Sequence, residues 1–460
     1  MLNPLRRLSH KGQTVCVIVG GILVHLTLGT LYTVGNVNPY MASYLRAQVP
    51  GQTYVTYSLM SWLFATTVMG QTCFGALGGW LEQKLGPRRA TLIGSGVMSF
   101  GVFISYFSIR HSFWLTLFTY GIIVGMGTGI AYNPPLVCVM KWLPTNRGLA
   151  NGLILAGFGL GAFIFNQVQT AYVNPSNYAV DSDGFFKQED LLVRVPTLFL
   201  VLAGVYISMQ LIGCLLLMDP EKTDVEDGST KPLLAGDGFQ DLNDATNRPG
   251  GAERDEHLAP IRVLKSGTFW FLWFTMLFNG QATNFVSSYF KIFGQTFINN
   301  DYLLASIGSI SSIFNSFGRI MWGHLGDKYS YQGCMVCVTS FLTVFMLTVY
   351  ATRYMGEIAY LIWVSAVFLT FSGQFSLFPM AVANAFGGQY FGVNYGLFFT
   401  ASAVTALSNS ILTTILLEDL GFRGMFELIA AAAFLAFCFT GFIHLTDYGT
   451  RISIRQRLVL

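Results

Sequence analysis

The chain has 460 residues, of which 53% are hydrophobic and only 11% charged, and its mean hydropathy is +0.52. Ordinary soluble domains carry about 25% charged residues, so a soluble globular protein is excluded and a polytopic membrane protein is implied. The net charge of +3 reflects basic loops rather than a nucleic-acid surface.

A span needs roughly 20 apolar residues to cross a hydrocarbon core of about 30 Å. Twelve such stretches occur, at about 14–36, 55–80, 90–109, 113–140, 149–172, 195–218, 269–292, 302–325, 332–352, 357–383, 392–417 and 424–445. Each must satisfy its own backbone in lipid, which makes them helices. The N-terminal run MLNPLRRLSHKGQT has basic residues before the first span and no signal-peptide cleavage pattern. With that end cytoplasmic, the short loops on its side hold twelve Lys and Arg. The opposite loops hold seven, Lys291 among them. The positive-inside bias therefore puts both termini in the cytoplasm. The lipid bilayer is the expected surrounding, and the plasma membrane is expected over endolysosomal membranes.

In the first span, His25, Gly29, Tyr32 and Asn36 fall on one helical stripe. His25 is a titratable group deep in a span, so it is either a proton carrier or a neutral packing histidine. The loop after the second span reads GGWLEQKLGPRR. It offers Lys84, Arg88 and Arg89 as gating cations, or simply as a basic loop obeying the charge rule. In the fourth and fifth spans, Gly121, Gly125 and Gly129 and then Gly157 and Gly161 give small-xxx-small patterns, expected to pack along faces that slide. Tyr132-Asn133-Pro134-Pro135 is expected to interrupt the fourth span beside a cavity.

Residues 219–268 hold eleven acidic side chains and no apolar periodicity. They read as a solvated, disordered cytoplasmic linker between a bundle at 1–218 and another, with a cytoplasmic tail, at 269–460. The two halves echo one another. GWLEQKLG at 79–86 matches GHLGDKYS at 323–330 with an offset of 244 residues, and Asn36 matches Asn284 with an offset of 248. Such a repeat suits rocking of one six-helix half against the other around a site at the midplane.

The loop GGWLEQKLGPRR resembles the signature loop of the major facilitator superfamily, with Gln83 where that family has an aspartate. Its second copy keeps Asp327 and Lys328. Two longer runs, GMGTGIAYNPPLVCVMKWLPTNRGLANGLILAGFGLGA at 125–162 and YFGVNYGLFFTAS at 390–402, resemble the oxalate/formate antiporters and the monocarboxylate transporters. The resemblance implies an all-α membrane protein of twelve transmembrane helices in two pseudo-symmetric six-helix bundles. It also implies a secondary transporter, not an enzyme, with no cofactor.

The eighth span, SIFNSFGRIMWGHLGDKYS, carries Arg319 eight residues before Asp327, about 12 Å into the membrane at 1.5 Å per residue. A charge there costs about 2.5–3.5 kcal/mol or more. No other Lys or Arg is expected deep in a span. No Asp or Glu lies in the middle of one, since Glu82, Asp301, Glu418, Asp419 and Glu427 sit near ends. An arginine fork without an internal partner matches an external carboxylate.

The resemblance implies the same role for Arg319. It places Ser402 where the oxalate transporters have a second cation, which argues for a monocarboxylate. It also places Asn315 where proton-coupled relatives have an aspartate, and the first span has no lysine. Uniport or exchange, or proton symport, both remain open. Tyr32, Gln281, Gln374 and Phe375 are further expected wall residues, the last two on a stripe with Phe371 and Phe378. The alternatives are a transport-like receptor or scaffold that binds an anion without passing it, or an exchanger for a different small organic anion. The seven cysteines give no disulfide framework or metal-ligand pattern, and no P-loop suggests ATP hydrolysis.

Overall fold

The computed structural model describes residues 8–143, 147–220, 258–387 and 390–453. The expected linker core at 221–257 and the basic residues Arg6, Arg7, Arg455 and Arg457 lie outside them, as does the side chain of Arg147. Twelve long helical segments run back and forth across the molecule. The first six are α1 His10–Gln48, α2 Tyr57–Leu85, α3 Pro87–Ser108, α4 Phe113–Trp142, α5 Arg147–Val173 and α6 Arg194–Leu216. The second six are α7 Gly267–Gly294, α8 Asp301–Lys328, α9 Tyr331–Met355, α10 Glu357–Phe386, and α11 and α12, which share the run Phe391–Gly441. That run breaks at Gly421, whose φ of 62° an L side chain rarely adopts.

Eight of these runs are long and apolar enough to cross a membrane, with α11 and α12 counted as one. The others among the described residues are α2, α7 and α8, of which α7 and α8 carry the buried charges Lys291, Asp301 and Arg319. Side-chain oxygens open several helices by accepting from the first turn: Thr56 from Leu59 N, Ser266 from Phe269 N, Asn300 from Leu303 N and Ser330 from Gly333 N. Large apolar side chains such as Phe100, Phe107, Leu211, Phe341 and Phe434 face outward, as a lipid-facing belt requires.

The helix count and the two-bundle arrangement agree with the sequence reading, and three local expectations change. First, α4 runs without unwinding through Tyr132, Asn133, Pro134 and Pro135. The irregular backbone lies elsewhere: a π-helical turn at Leu117–Ile123, a 3-10 turn at Gly29–Thr33 in α1, and a break at Ser372 in α10. Second, the small-residue stripes pack inside the first half. A Cβ on Gly125 would meet Thr67 O of α2 at 2.4 Å, and one on Gly161 would meet Leu26 O of α1 at 2.4 Å. Between the halves, Gly159 of α5 instead lies against Ser316 of α8. Third, residues 258–268 are ordered against the second half, with one face still exposed. A short helix Pro260–Lys265 leads into α7, and Leu258 and Val263 are buried, with Leu258 N donating to Phe386 O.

Alternation of the helices puts residues 8, 220, 258 and 453 on one face, called here the terminal face. The opposite face is closed over the first half by the α5–α6 connection. There Phe186 is buried with its N–H on Ser43, and Phe185 stacks on Tyr57 at 4.8 Å.

Candidate functional site

Arg319 sits in α8 where the two halves meet and is only 6% exposed. Its Nε donates to Asn315 Oδ1 at 3.1 Å, one turn earlier on the same helix, and its Nη2 donates to Tyr32 Oη of α1 at 3.1 Å. The guanidinium lies over Phe375 of α10 at 4.5 Å and faces Phe158 of α5 at 5.6 Å, so aromatic faces supply part of its stabilisation. Two of the three backbone irregularities noted above converge on it. The 3-10 turn of α1 carries Tyr32, and the break at Ser372 is followed by Phe375 and by Ser376, whose hydroxyl donates to Arg319 O at 2.6 Å. Among the described residues no carboxylate pairs with Arg319.

Tyr32, Asn315, Phe375 and Arg319 are thus brought together as expected, with Phe371 beside Tyr32 at 6.5 Å. His25 is one ring away. It is fully buried, its Nδ1 meets Gly21 O at 3.1 Å, and its ring packs on Tyr132 and Phe158. Four other expected residues lie elsewhere. Gln281 donates to Ser408 Oγ at 2.7 Å and accepts from Asn409. Gln374 bridges Asn279 and Thr283 inside the second half. Ser402 is part-exposed on α11, and Phe378 packs on Tyr331 and Phe398.

The expected gating loops are also rearranged. Lys84 stands over Trp80 at 4.3 Å, Arg88 donates to Leu215 O at 2.9 Å, Arg89 and Asp327 are exposed, and Lys328 faces Tyr329. The carboxylate with a cation partner in this loop is Glu82, one residue before Gln83. It holds Lys141 at 2.9 Å, and Lys141 also holds Asp219 at 3.0 Å. That tie joins α2, α4 and the end of α6 within one half.

The largest correction concerns charge. Lys291, expected in an exposed outer loop, lies in the last turn of α7 and is completely buried, so Arg319 is not the one cation in the interior. Its Nζ is 2.8 Å from Asp301 Oδ1 and donates to Asn36 Oδ1 at 2.9 Å and Tyr40 Oη at 2.8 Å. Tyr40 Oη in turn donates to Asp301, as does Asn174 Nδ2 at 2.8 Å. The sequence did hold a signal for this cluster. Tyr40 extends the stripe of Tyr32 and Asn36 by one more turn, and Lys291 is flanked by aromatic residues in SSYFKIFG.

Comparison with known proteins places these features in a family. The model of the Major Facilitator Superfamily matches residues 20–408. The apicoplast pyruvate carrier 1 of Toxoplasma gondii is 30% identical over 92% of this chain and 87% of its own length. The oxalate:formate antiporter of Oxalobacter formigenes is 24% identical over 80% and 78%. A solved xylose transporter from E. coli, in an inward open conformation, superposes with a TM-score of 0.65 at 14% identity, covering 94% of this chain and 95% of its own. With its helix order, two-half architecture and family match in agreement, the chain belongs to the Major Facilitator Superfamily and is an integral membrane transporter, not an enzyme.

Proposed function

We propose that the protein moves a small monocarboxylate across its membrane by alternating access, with Arg319 as the clamp for the carboxylate. One observation carries the reading: a permanent cation, nearly dry at the junction of the halves, meets neutral groups and no carboxylate among the described residues, namely the oxygens of Asn315 and Tyr32 and the rings of Phe375 and Phe158. Burying a charge without a counter-charge is costly, and a planar carboxylate relieves that cost through the guanidinium fork. Asn315 Nδ2, with no partner among the described residues, is a further donor beside the same position. Phe375, Phe158 and Phe371 suit the apolar end of a short organic acid.

Lys291 does not add a second free charge, because Asp301 neutralises it. One uncompensated cation favours one carboxylate over two. The printed names of the relatives, a pyruvate carrier and an oxalate:formate antiporter, point to the same chemical class. Asn315 cannot carry a proton, so uniport or anion exchange stands beside proton symport, for which His25, packed on Tyr132 and Phe158, is the candidate carrier. Both termini are assigned to the cytoplasm on the charge bias.

The test is uptake into vesicles containing the purified protein. Labelled pyruvate, lactate or formate is expected to show saturable counterflow. Arg319→Ala is expected to lower it on the order of a hundredfold, the size of effect seen when one partner of a buried ionic contact is removed. Undiminished counterflow in Arg319→Ala would remove the clamp from the mechanism.

A further inference from the structure

The buried pair Lys291–Asp301 stands apart from the Arg319 site and is placed with unusual economy. Lys291 is in the last turn of α7 and Asp301 in the first turn of α8, so both belong to the second half. Each sits at the helix end whose dipole favours its charge. The polar side chains that hydrogen-bond the pair come from the first half: Asn36 and Tyr40 on α1, and Asn174 just beyond α5. The Tyr40 ring also lies 4.2 Å from Nζ. Around this point the halves are joined further by Gln167 to Ser306 and Ser309, and by Asn177 to Asn300. All of these contacts lie between the level of Arg319 and the face opposite the termini.

We infer that Lys291–Asp301 is the gate of that face, a charged plug carried by the second half and solvated in the closed state by a polar socket on the first. When the halves part, the bonds to Asn36, Tyr40 and Asn174 break together while the ion pair stays whole and takes up water. The closed state therefore bears the desolvation of two charges and the open state does not. An ion pair in this position does not glue the gate shut. It holds the closed state close enough in free energy to the open one for the face to open, with the socket setting the balance.

The sign of this effect differs from that of an ordinary structural salt bridge. Removing one member, or the hydroxyl that serves both, leaves a poorly solvated charge in the closed state and favours opening. Replacing both members by apolar side chains removes the need for solvation and favours closure. The inference uses the two-faced cycle of a transporter and does not depend on which anion is carried.

The experiment measures opening without substrate. Full-length protein with Cys16, Cys73, Cys337 and Cys438 replaced by alanine receives one reporter, Ser309→Cys, at a position only 2% exposed on the α8 face toward α5. Its labelling rate with a bulky water-soluble maleimide is then read in detergent. Asp301→Asn and Tyr40→Phe should each raise that rate, Asp301→Asn by on the order of tenfold or more. The double variant Lys291→Met, Asp301→Leu should label more slowly than the parent. Equal labelling in Tyr40→Phe and the parent, or a double variant as open as Asp301→Asn, overturns the gate. Tyr40→Phe is nearly isosteric, so it keeps the inference testable if a charge variant does not fold. A gate result leaves the carboxylate reading to the Arg319 uptake test, and either can fail alone.

Discussion

Two buried cations are handled in opposite ways. Lys291 has a carboxylate at 2.8 Å, whereas Arg319 among the described residues has hydroxyl, amide and aromatic neighbours and no carboxylate. The first is internally neutral, and under the proposed function the second takes its counter-charge from the substrate. Arg319→Lys keeps the charge but loses the planar fork and the stacking on Phe375. Its counterflow should therefore fall at least about tenfold relative to the parent, with a larger change in KM than Arg319→Ala would allow to be measured. Ser402→Lys tests the one-cation argument from the other side. Competition by a dicarboxylate such as oxalate should rise while competition by monocarboxylates falls, and an unchanged competition profile would count against it. Arg319 was legible in the sequence because it interrupts an apolar run far from either helix end. Lys291 was not, because it lies three residues from the end of α7. At that place a lysine either reaches to the interface or is sealed by a partner, and only the position of α1 across the other half decides which.

At the scale of the element, the same limit recurs. The glycine patterns of α4 and α5 announced close helix contacts, but spacing does not say which neighbour a face meets, and the stripes tie the first half together instead of forming its sliding surface. The tandem prolines of α4 were a plausible break, yet the helix continues through them and the backbone departs from α geometry at Gly29–Thr33, where the sequence carries no proline. The cause there is a close approach. A Cβ on Gly29 would lie 1.9 Å from the Phe158 carbonyl oxygen, so α1 bends past α5 with nothing between them. Gly29→Ala should push the two helices apart at the point that sets Tyr32 and Phe158 around the guanidinium. Loss of monodisperse protein or, in a folded variant, a several-fold fall in carboxylate counterflow is expected, and wild-type yield with wild-type transport would show that the contact is unimportant.

At the scale of the molecule, the 6+6 repeat was readable because offsets of 244 and 248 residues persist through loops and spans alike, whereas the state of the two halves was not, since it depends on contacts made by residues far apart in sequence. Gln167 of α5 reaches Ser306 of α8 at 3.2 Å across the closed face. Cysteines at these two positions, joined by a short bismaleimide, should stop counterflow, while the same reaction on either single variant should not. Continued transport in the linked protein would exclude rocking at this face. The polar lining has a cost that falls earlier in the life of the chain. The helices α2, α7 and α8, which lack the apolarity of the other spans, include the two that bring Arg319, Lys291 and Asp301 into the bilayer. An isolated span bearing such charges is a poor client for the insertion machinery, each central Arg or Lys opposing entry by about 2.5–3.5 kcal/mol. Insertion of such a helix is therefore expected to depend on the helices made before it. In a glycosylation-mapped insertion assay, α8 alone should stay out of the membrane and should enter when α7 and the first half precede it. The helices that carry these charges fall short of the apolarity of the other spans, and the expectation is that their neighbours admit them to the bilayer.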